Sequence, residues 1–315
     1  MNFSSPITRH FLLGILGILV CASLAGFILG RLAKSEGAKG TVSNLNARIN
    51  SWWIMVLILL GTLASGPLSD TMVFALISFL ALREFITATP TRHADYWSLF
   101  TAFFIVLPFQ YWLVHCQWYG MFTIMIPVYA FVVLPILMVL RGDATDFLER
   151  AARTQWGLMV CVYFISHIPM MMHLPFPPLP LGNEGLILFL VIVVQGSDVL
   201  QYIWGKLCGR HPVAPRLSPK KTWEGLLGGV LSASALGAAL HWLTPCNAVQ
   251  AFVLAFILCL LGFFGGLVMS AIKRARGIKD WGTLIEGHGG MMDRIDSLCF
   301  SAPLYFHLLA WYFGV

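Results

Sequence analysis

Charge is what this 315-residue sequence has least of: Asp, Glu, Lys and Arg together make up 11% of it. A water-facing domain of that length carries about 25%, because its surface must be solvated. The shortage, with 58% hydrophobic residues and a mean hydropathy of +0.79, excludes an ordinary soluble protein. Cysteine offers no framework either. The seven cysteines are scattered without CxxC or metal-ligand spacing, and most sit inside apolar blocks, where Cys behaves as a small hydrophobe. Base-stacking aromatics are not interleaved with the basic segments, so no nucleic-acid partner is expected.

What is present is a succession of apolar blocks of about 15 to 25 residues, the length a helix needs to cross hydrocarbon. The expected fold is all-α: a polytopic integral membrane protein with about ten transmembrane helices at 11–30, 52–68, 70–88, 97–114, 119–140, 155–173, 184–205, 223–244, 248–272 and 297–314. The count becomes nine if the second and third are one, since Gly66-Pro67 and Asp70 leave only a tight hairpin between them. The first block, ending at Arg31, exceeds a typical signal-peptide core and shows no small-residue cleavage site. It reads as a retained helix.

Every Lys and Arg except Arg9 follows an odd-numbered span in this scheme. The positive-inside rule then makes those connections cytoplasmic and puts both termini outside. The net charge of +6 is thereby a matter of topology. Trp52-Trp53, Trp97, Trp118-Tyr119, Trp156 and Trp223 fall near span ends, as an interfacial aromatic belt requires. The chain divides into N-terminal membrane helices, 1–180, and a C-terminal region, 181–315. The latter carries the two longest cytoplasmic loops, 206–222 and 273–296.

The candidate chemistry lies in that second region. Gln195-Gly196-Ser197-Asp198 places a carboxylate in a membrane helix, which is costly and marks a functional candidate; the alternative is a structural Asp bonded to a neighbouring helix. Asp198 and Tyr202, four apart, share a face. Ser218-Pro219-Lys220-Lys221-Thr222 sets hydroxyl and ammonium groups at a helix start, where free N–H groups favour anions; an ordinary positive loop with Thr222 as a cap is the plainer reading. Ser270 to Asp296 concentrates five basic and four acidic side chains. Alternating signs suit a metal–polyphosphate site, with carboxylates for Mg²⁺ and Lys and Arg for the remaining phosphate oxygens. Asp293 and Asp296 would share a face if helical, and glycines on both sides of His288 would let a phosphate come close. Arg83-Glu84 closes the third helix near the cytoplasmic interface, with a supporting role near the site as the alternative.

Three blocks carry a family resemblance. Ser270-x-Ile272-Lys273-Arg274, Lys279-Asp280-x-Gly282 and His288-Gly289-Gly290-x-x-Asp293-Arg294-x-Asp296 form the first. Ser218-Pro219-x-Lys221-Thr222-Trp223-Glu224-Gly225-x-x-Gly228-Gly229 is the second, and Asp198 with Tyr202 and Gly205 the third. Together, over about residues 195–300, they strongly resemble phosphatidate cytidylyltransferases (CDP-diacylglycerol synthases). The resemblance implies CTP and phosphatidic acid, or a related lipid phosphate, as substrates, with CDP-diacylglycerol and pyrophosphate as products. It also implies Mg²⁺, with a second cation left open, and a homodimer in a bacterial-type inner membrane. By the same resemblance, Asp293 is the first metal ligand, with Asp296, Asp280 and Asp198 near it. Lys273 and Arg294 join Asp293 as catalytic candidates, and Ser218, Lys220, Lys221, Arg274, Lys279 and His288 as phosphate-binding ones.

Three positions depart from the pattern. Gly266 stands where the family has a metal-site Asp, Glu286 where Pro is usual, and Gln201 where a small residue precedes Tyr202. Glu286 could replace the missing charge, and Gln201 could signal a different acceptor lipid. Two competing readings follow: a CTP- or lipid-binding paralogue disabled at Gly266, and a transporter using Asp198 and Arg83-Glu84 as buried charges. A transporter predicts polar groups spread through several spans, whereas here they gather in loops and at helix ends.

Overall fold

The computed structural model describes residues 6–32, 36–176, 178–282 and 289–314. Among them the chain forms ten helices: α1 Pro6–Leu32, α2 Glu36–Ser65, α3 Pro67–Thr87, α4 His93–His115, α5 Tyr119–Val139, α6 Phe147–His173, α7 Glu184–Cys208, α8 Trp223–Ala239, α9 Ala248–Ala275 and α10 Met292–Phe313. Each expected span corresponds to one helix, and the all-α architecture holds. By length and composition six of them (α1, α4, α5, α6, α7 and α9) can cross a membrane. The protein is an integral membrane protein of several apolar helices.

One boundary differs from the sequence reading. The segment 31–51 was expected as a loop, yet helix resumes at Glu36 and runs into the apolar block. The second and third spans are separate, parted by Gly66 at φ +99°, a conformation glycine adopts without strain, with Pro67 opening α3. The loop 206–222 is partly ordered as an antiparallel hairpin, β1 Pro212–Ala214 with β2 Ser218–Thr222.

Helices α4, α5 and α6 each contain a π-helical stretch, at Ala102–Val106, Met125–Ala130 and Met159–Tyr163. A proline lacks an N–H and leaves the carbonyl four residues earlier without its helical donor. In hydrocarbon such a group must find another. Here the Tyr163 hydroxyl donates to the Thr123 carbonyl, 3.1 Å, four residues before Pro127. The Gln155 amide donates to the Phe131 carbonyl, 3.2 Å, four before Pro135. Polar residues inside these spans thus repair the backbone.

The core runs through α6, α7, α9 and α10, where buried side chains such as Phe189, Phe263, Tyr305 and Phe306 pack. α1 is peripheral: 11% of its apolar window is buried, against 67% in α6. In the first turn of α6, Arg150 ties the connection before its own helix to the first turn of α4. Its guanidinium lies 2.8 Å from Asp143 and 3.4 Å from Asp95, and it donates to the Asp143 carbonyl at 2.7 Å.

Candidate active site

α7 and α8 form the frame. Thr222 caps α8, its hydroxyl accepting from the Gly225 N–H at 3.1 Å. The Glu224 side chain turns back to accept from the N–H groups of Arg210 and His211, at 3.0 and 3.2 Å. The hairpin is thereby fixed at both ends. Gly229 lets the two helices approach: a Cβ there would lie 2.6 Å from Gln201 Cα and nitrogen and would strike its Cγ. Gln201 itself is buried in this seam and donates to Ser197 Oγ at 2.7 Å. It faces α8.

The two adjacent lysines of β2 differ in exposure. Lys220 is exposed, whereas Lys221 is half-buried, as is Ser218 at the start of the strand. The Lys221 ammonium lies 4.6 Å above the Phe263 ring and 3.5 Å from the Phe263 carbonyl. Burial pushes its pKa down, while Asp198 and Asp296 pull it up and Lys273 opposes them. The same ammonium stands 3.0 Å from where a Cβ would sit on Gly266. Position 266, where the sequence resemblance leads to the expectation of a carboxylate, therefore lies beside the Lys221 ammonium, and here it is glycine.

Asp293 and Asp296 are in α10, as the helical spacing required. Ser297 links Asp296 to Asp198 across two helices, donating to Asp198 Oδ2 at 2.7 Å with Asp296 Oδ1 at 3.4 Å. Gln195 tightens the same junction through the Arg294 carbonyl, 3.0 Å. Asp198, Asp296, Lys221 and Ser297 thus form one group.

Asp293 belongs to a second, adjoining group. One oxygen accepts from Lys273 Nζ at 2.7 Å; the other accepts from the N–H groups of Trp281 and Gly290 at 2.8 and 3.0 Å. Through these partners it holds Trp281 and Gly290 onto α9 and α10. Gly289, at φ +81°, makes the turn, with Asp293 and Asp280 close by.

The remaining candidates are more open. Arg274 reaches the Leu217 and Ile278 carbonyls at 3.4 and 3.0 Å, joining the two long loops. Lys279 and Asp280 are exposed, and Arg294 is half-buried. Tyr202 is exposed, with Lys206 above its ring at 5.8 Å. His288 and Glu286 lie outside the described residues.

One contributor, and the partners of another, were not foreseen. Ser297 gave no signal beyond its place after Asp296. Glu84 was visible as an acid in an apolar helix, but its partners were not: its carboxylate accepts from the N–H groups of Met291 and Met292 at 2.9 and 2.8 Å.

Two carboxylates in reach of one another are a donor set that suits Mg²⁺, which commonly takes one or two carboxylates and completes its shell with water and substrate phosphates. Among the described residues no group of three His, Cys, Asp or Glu side chains comes together. The arrangement is a carboxylate pair beside a buried ammonium, with further cations on the open side, and such a set can neutralise a polyphosphate.

Comparison with known proteins gives the same direction. The chain is 39% identical over 301 residues to the uncharacterized protein YnbB of Escherichia coli, covering 93% of this chain and 95% of that one. It is 30% identical over 260 residues to the phosphatidate cytidylyltransferase of Staphylococcus epidermidis, covering 80% and 94%. A match to the enzyme of that name from Mycobacterium leprae, 39% identical, is confined to 138 residues, 42% of the relative. The model of the cytidylyltransferase family matches residues 46–312, and the chain belongs to that family.

Proposed function

We propose that this protein transfers CMP from CTP to the phosphate of a membrane lipid, with phosphatidic acid as the first candidate acceptor and CDP-diacylglycerol and pyrophosphate as products. The observation that carries this reading is the joining of Asp198 and Asp296 through Ser297, with the Lys221 ammonium beside Ser297 across Gly266. It gathers opposite charges at helix ends beside the basic hairpin, where a bilayer lipid and a soluble nucleotide can meet.

In the reaction a lipid phosphate oxygen attacks the α-phosphorus of CTP, forming one P–O bond while the bond to pyrophosphate breaks. A phosphate monoester, with its second pKa near about 6, is already largely ionised at neutral pH and needs no strong base. Positioning and charge neutralisation then carry the catalysis. Asp198 and Asp296 are the residues that would hold Mg²⁺, with Asp280 on the adjoining loop; a second cation is left open. The bound ion would supply charge neutralisation at the phosphates. Lys221 faces the same space from the hairpin. Arg274, Lys279, Lys220 and Ser218 line the open side and would take the triphosphate or the lipid phosphate. Lys273 and Asp293 shape the loop, and Arg294 continues that face. Cytoplasmic loops in an inner membrane, termini outside and a homodimer complete the proposal.

A second reading, a relative that binds CTP or lipid without turnover, is favoured by one observation: position 266 offers no carboxylate, and the Lys221 ammonium borders it at 3.0 Å. One assay separates the two. Purified protein in detergent is given CTP and phosphatidic acid while Mg²⁺ is titrated, with Asp296→Asn as control. CDP-lipid that depends on Asp296 supports transfer. Folded protein that binds CTP but forms no product at any Mg²⁺ level supports the second reading.

A further inference from the structure

The carboxylate of Glu84, on α3, is applied to the first turn of α10. Its two oxygens accept separately from consecutive backbone N–H groups, Met291 at 2.9 Å and Met292 at 2.8 Å. The N–H groups of a helix's first turn have no partner inside the helix, and a negative charge there is favoured by the helix dipole. The neighbouring backbone has been kept bare for it. A Cβ on Gly290 would collide with Glu84 Oε2, and one on Gly282 would lie 2.9 Å from Oε1.

The next residue extends the hold. Phe85 stacks on Trp281 at 5.3 Å with the rings 27° apart, both nearly inaccessible. The Trp281 N–H in turn donates to Asp293. Two consecutive residues of α3 therefore fix both the start of α10 and the loop before it. The Gly290 N–H is taken by Asp293 and the next two by Glu84, so this stretch of backbone is committed to carboxylates of the protein and not to a substrate phosphate.

Asp296 follows four residues after Met292, about one helical turn. Its distance from Asp198, on α7, depends on where α10 begins and how it is rotated. We propose that Glu84 is a positioning residue of the site: by capping α10 from the N-terminal half of the chain, it sets Asp296 against Asp198 for cation binding. This rests on the reading of Asp198 and Asp296 as the cation-binding pair.

The test uses the full chain in lipid nanodiscs, as wild type, Glu84→Gln and Glu84→Asp. Glutamine keeps the shape but turns an amide donor toward one of the two N–H groups; aspartate keeps the charge on a shorter arm. Amide hydrogen exchange reads the cap, and Mn²⁺ titration followed by electron paramagnetic resonance, without CTP, reads the pair. In Glu84→Gln, exchange at Met291 and Met292 is expected to accelerate roughly tenfold. Half-saturating Mn²⁺ is expected to rise at least fivefold in the folded fraction, with Glu84→Asp partly restoring it.

A purely structural role would lower the folded fraction and leave the Mn²⁺ titration of what remains unchanged; that result overturns the proposal. So does unchanged exchange at Met291 and Met292. Wild type that binds Mn²⁺ but forms no CDP-lipid defeats the proposed reaction and leaves the role of Glu84 standing. Wild type that binds no Mn²⁺ defeats both.

Discussion

Lys273 and Asp293 form a buried ion pair, Nζ to Oδ1 2.7 Å, between the last turn of α9 and the first turn of α10. Removing one partner of such a pair leaves an uncompensated charge and costs about 3–5 kcal/mol, while removing both costs less. Lys273→Met is therefore expected to lower the thermal inactivation midpoint sharply, and Lys273→Met with Asp293→Asn to recover part of the loss. A double mutant no better than the single would show that the two do not act as a pair.

The same geometry changes what Asp293→Ala can report. Asp293 accepts from Lys273, Trp281 and Gly290, so alanine releases the loop whether or not the carboxylate ever touches a cation. Among the described residues the Asp296 carboxylate accepts from Ser297 Oγ and from no backbone N–H. Asp296→Asn should abolish cation-dependent turnover with little change in the melting midpoint, whereas Asp293→Ala should lose both. Comparing melting with activity across the two variants checks this.

Gly266 invites the converse experiment. A Cβ there has Lys221 Nζ at 3.0 Å and Ser297 Oγ at 3.8 Å, and the lysine end is flexible enough to yield. Gly266→Ala should be nearly silent. Gly266→Asp adds a third carboxylate to Asp198 and Asp296, and affinity for a hard cation rises with the charge of its ligands. Half-saturating Mg²⁺ is expected to fall roughly tenfold, the effect of about 1.4 kcal/mol. An unchanged titration would mean that this position does not face the cation.

The sequence made the helices legible because hydrocarbon imposes their length: each of the ten apolar blocks became one helix. It misplaced the start of α2, since Glu36 to Asn50 lacks the apolar run that marks a span and yet has nothing that forbids a helix. In the site, Asp198, Asp296 and Lys221 were legible as charges in costly or basic surroundings. Glu84 was legible as a charge with a supporting role as one alternative, but its partners were not, because they lie on a backbone 207 residues away and no local pattern records which helix ends meet. The direction of Gln201 was hidden for a similar reason. A polar residue on a membrane helix can face lipid headgroups or a seam, and the bare backbone of Gly229 on α8 decides for the seam.

That seam should tolerate no side chain. A Cβ at Gly229 meets the Gln201 backbone at 2.6 Å as well as its side chain, and overpacking of this kind costs about 1–3 kcal/mol. Gly229→Ala should lower the melting midpoint and reduce turnover, because α7 carries Asp198. Gln201→Ala in addition should restore little, since the backbone contact remains. Full rescue by Gln201→Ala would show that the side chain alone fills the space.

Arg150 gives a prediction far from these carboxylates. Its side chain is 2% exposed and stands between Asp95, 3% exposed, and Asp143, 29% exposed. Arg150→Met leaves Asp95 buried without its cation, so the expected loss is again about 3–5 kcal/mol, read as a lower melting midpoint. The pH dependence has a definite sign. The Thr145 N–H and hydroxyl, with Arg150 adding to them, hold the Asp143 carboxyl down to about 2 from 3.8. A carboxyl depressed in the folded state contributes stability that is complete above its unfolded pKa and disappears as pH falls through the folded one. The Asp143 contribution should therefore be constant from neutral pH to near 4 and vanish between 3.8 and about 2. Melting midpoints of wild type and Asp143→Asn should converge in that window, and convergence already at pH 5 to 6 would exclude the depressed carboxyl.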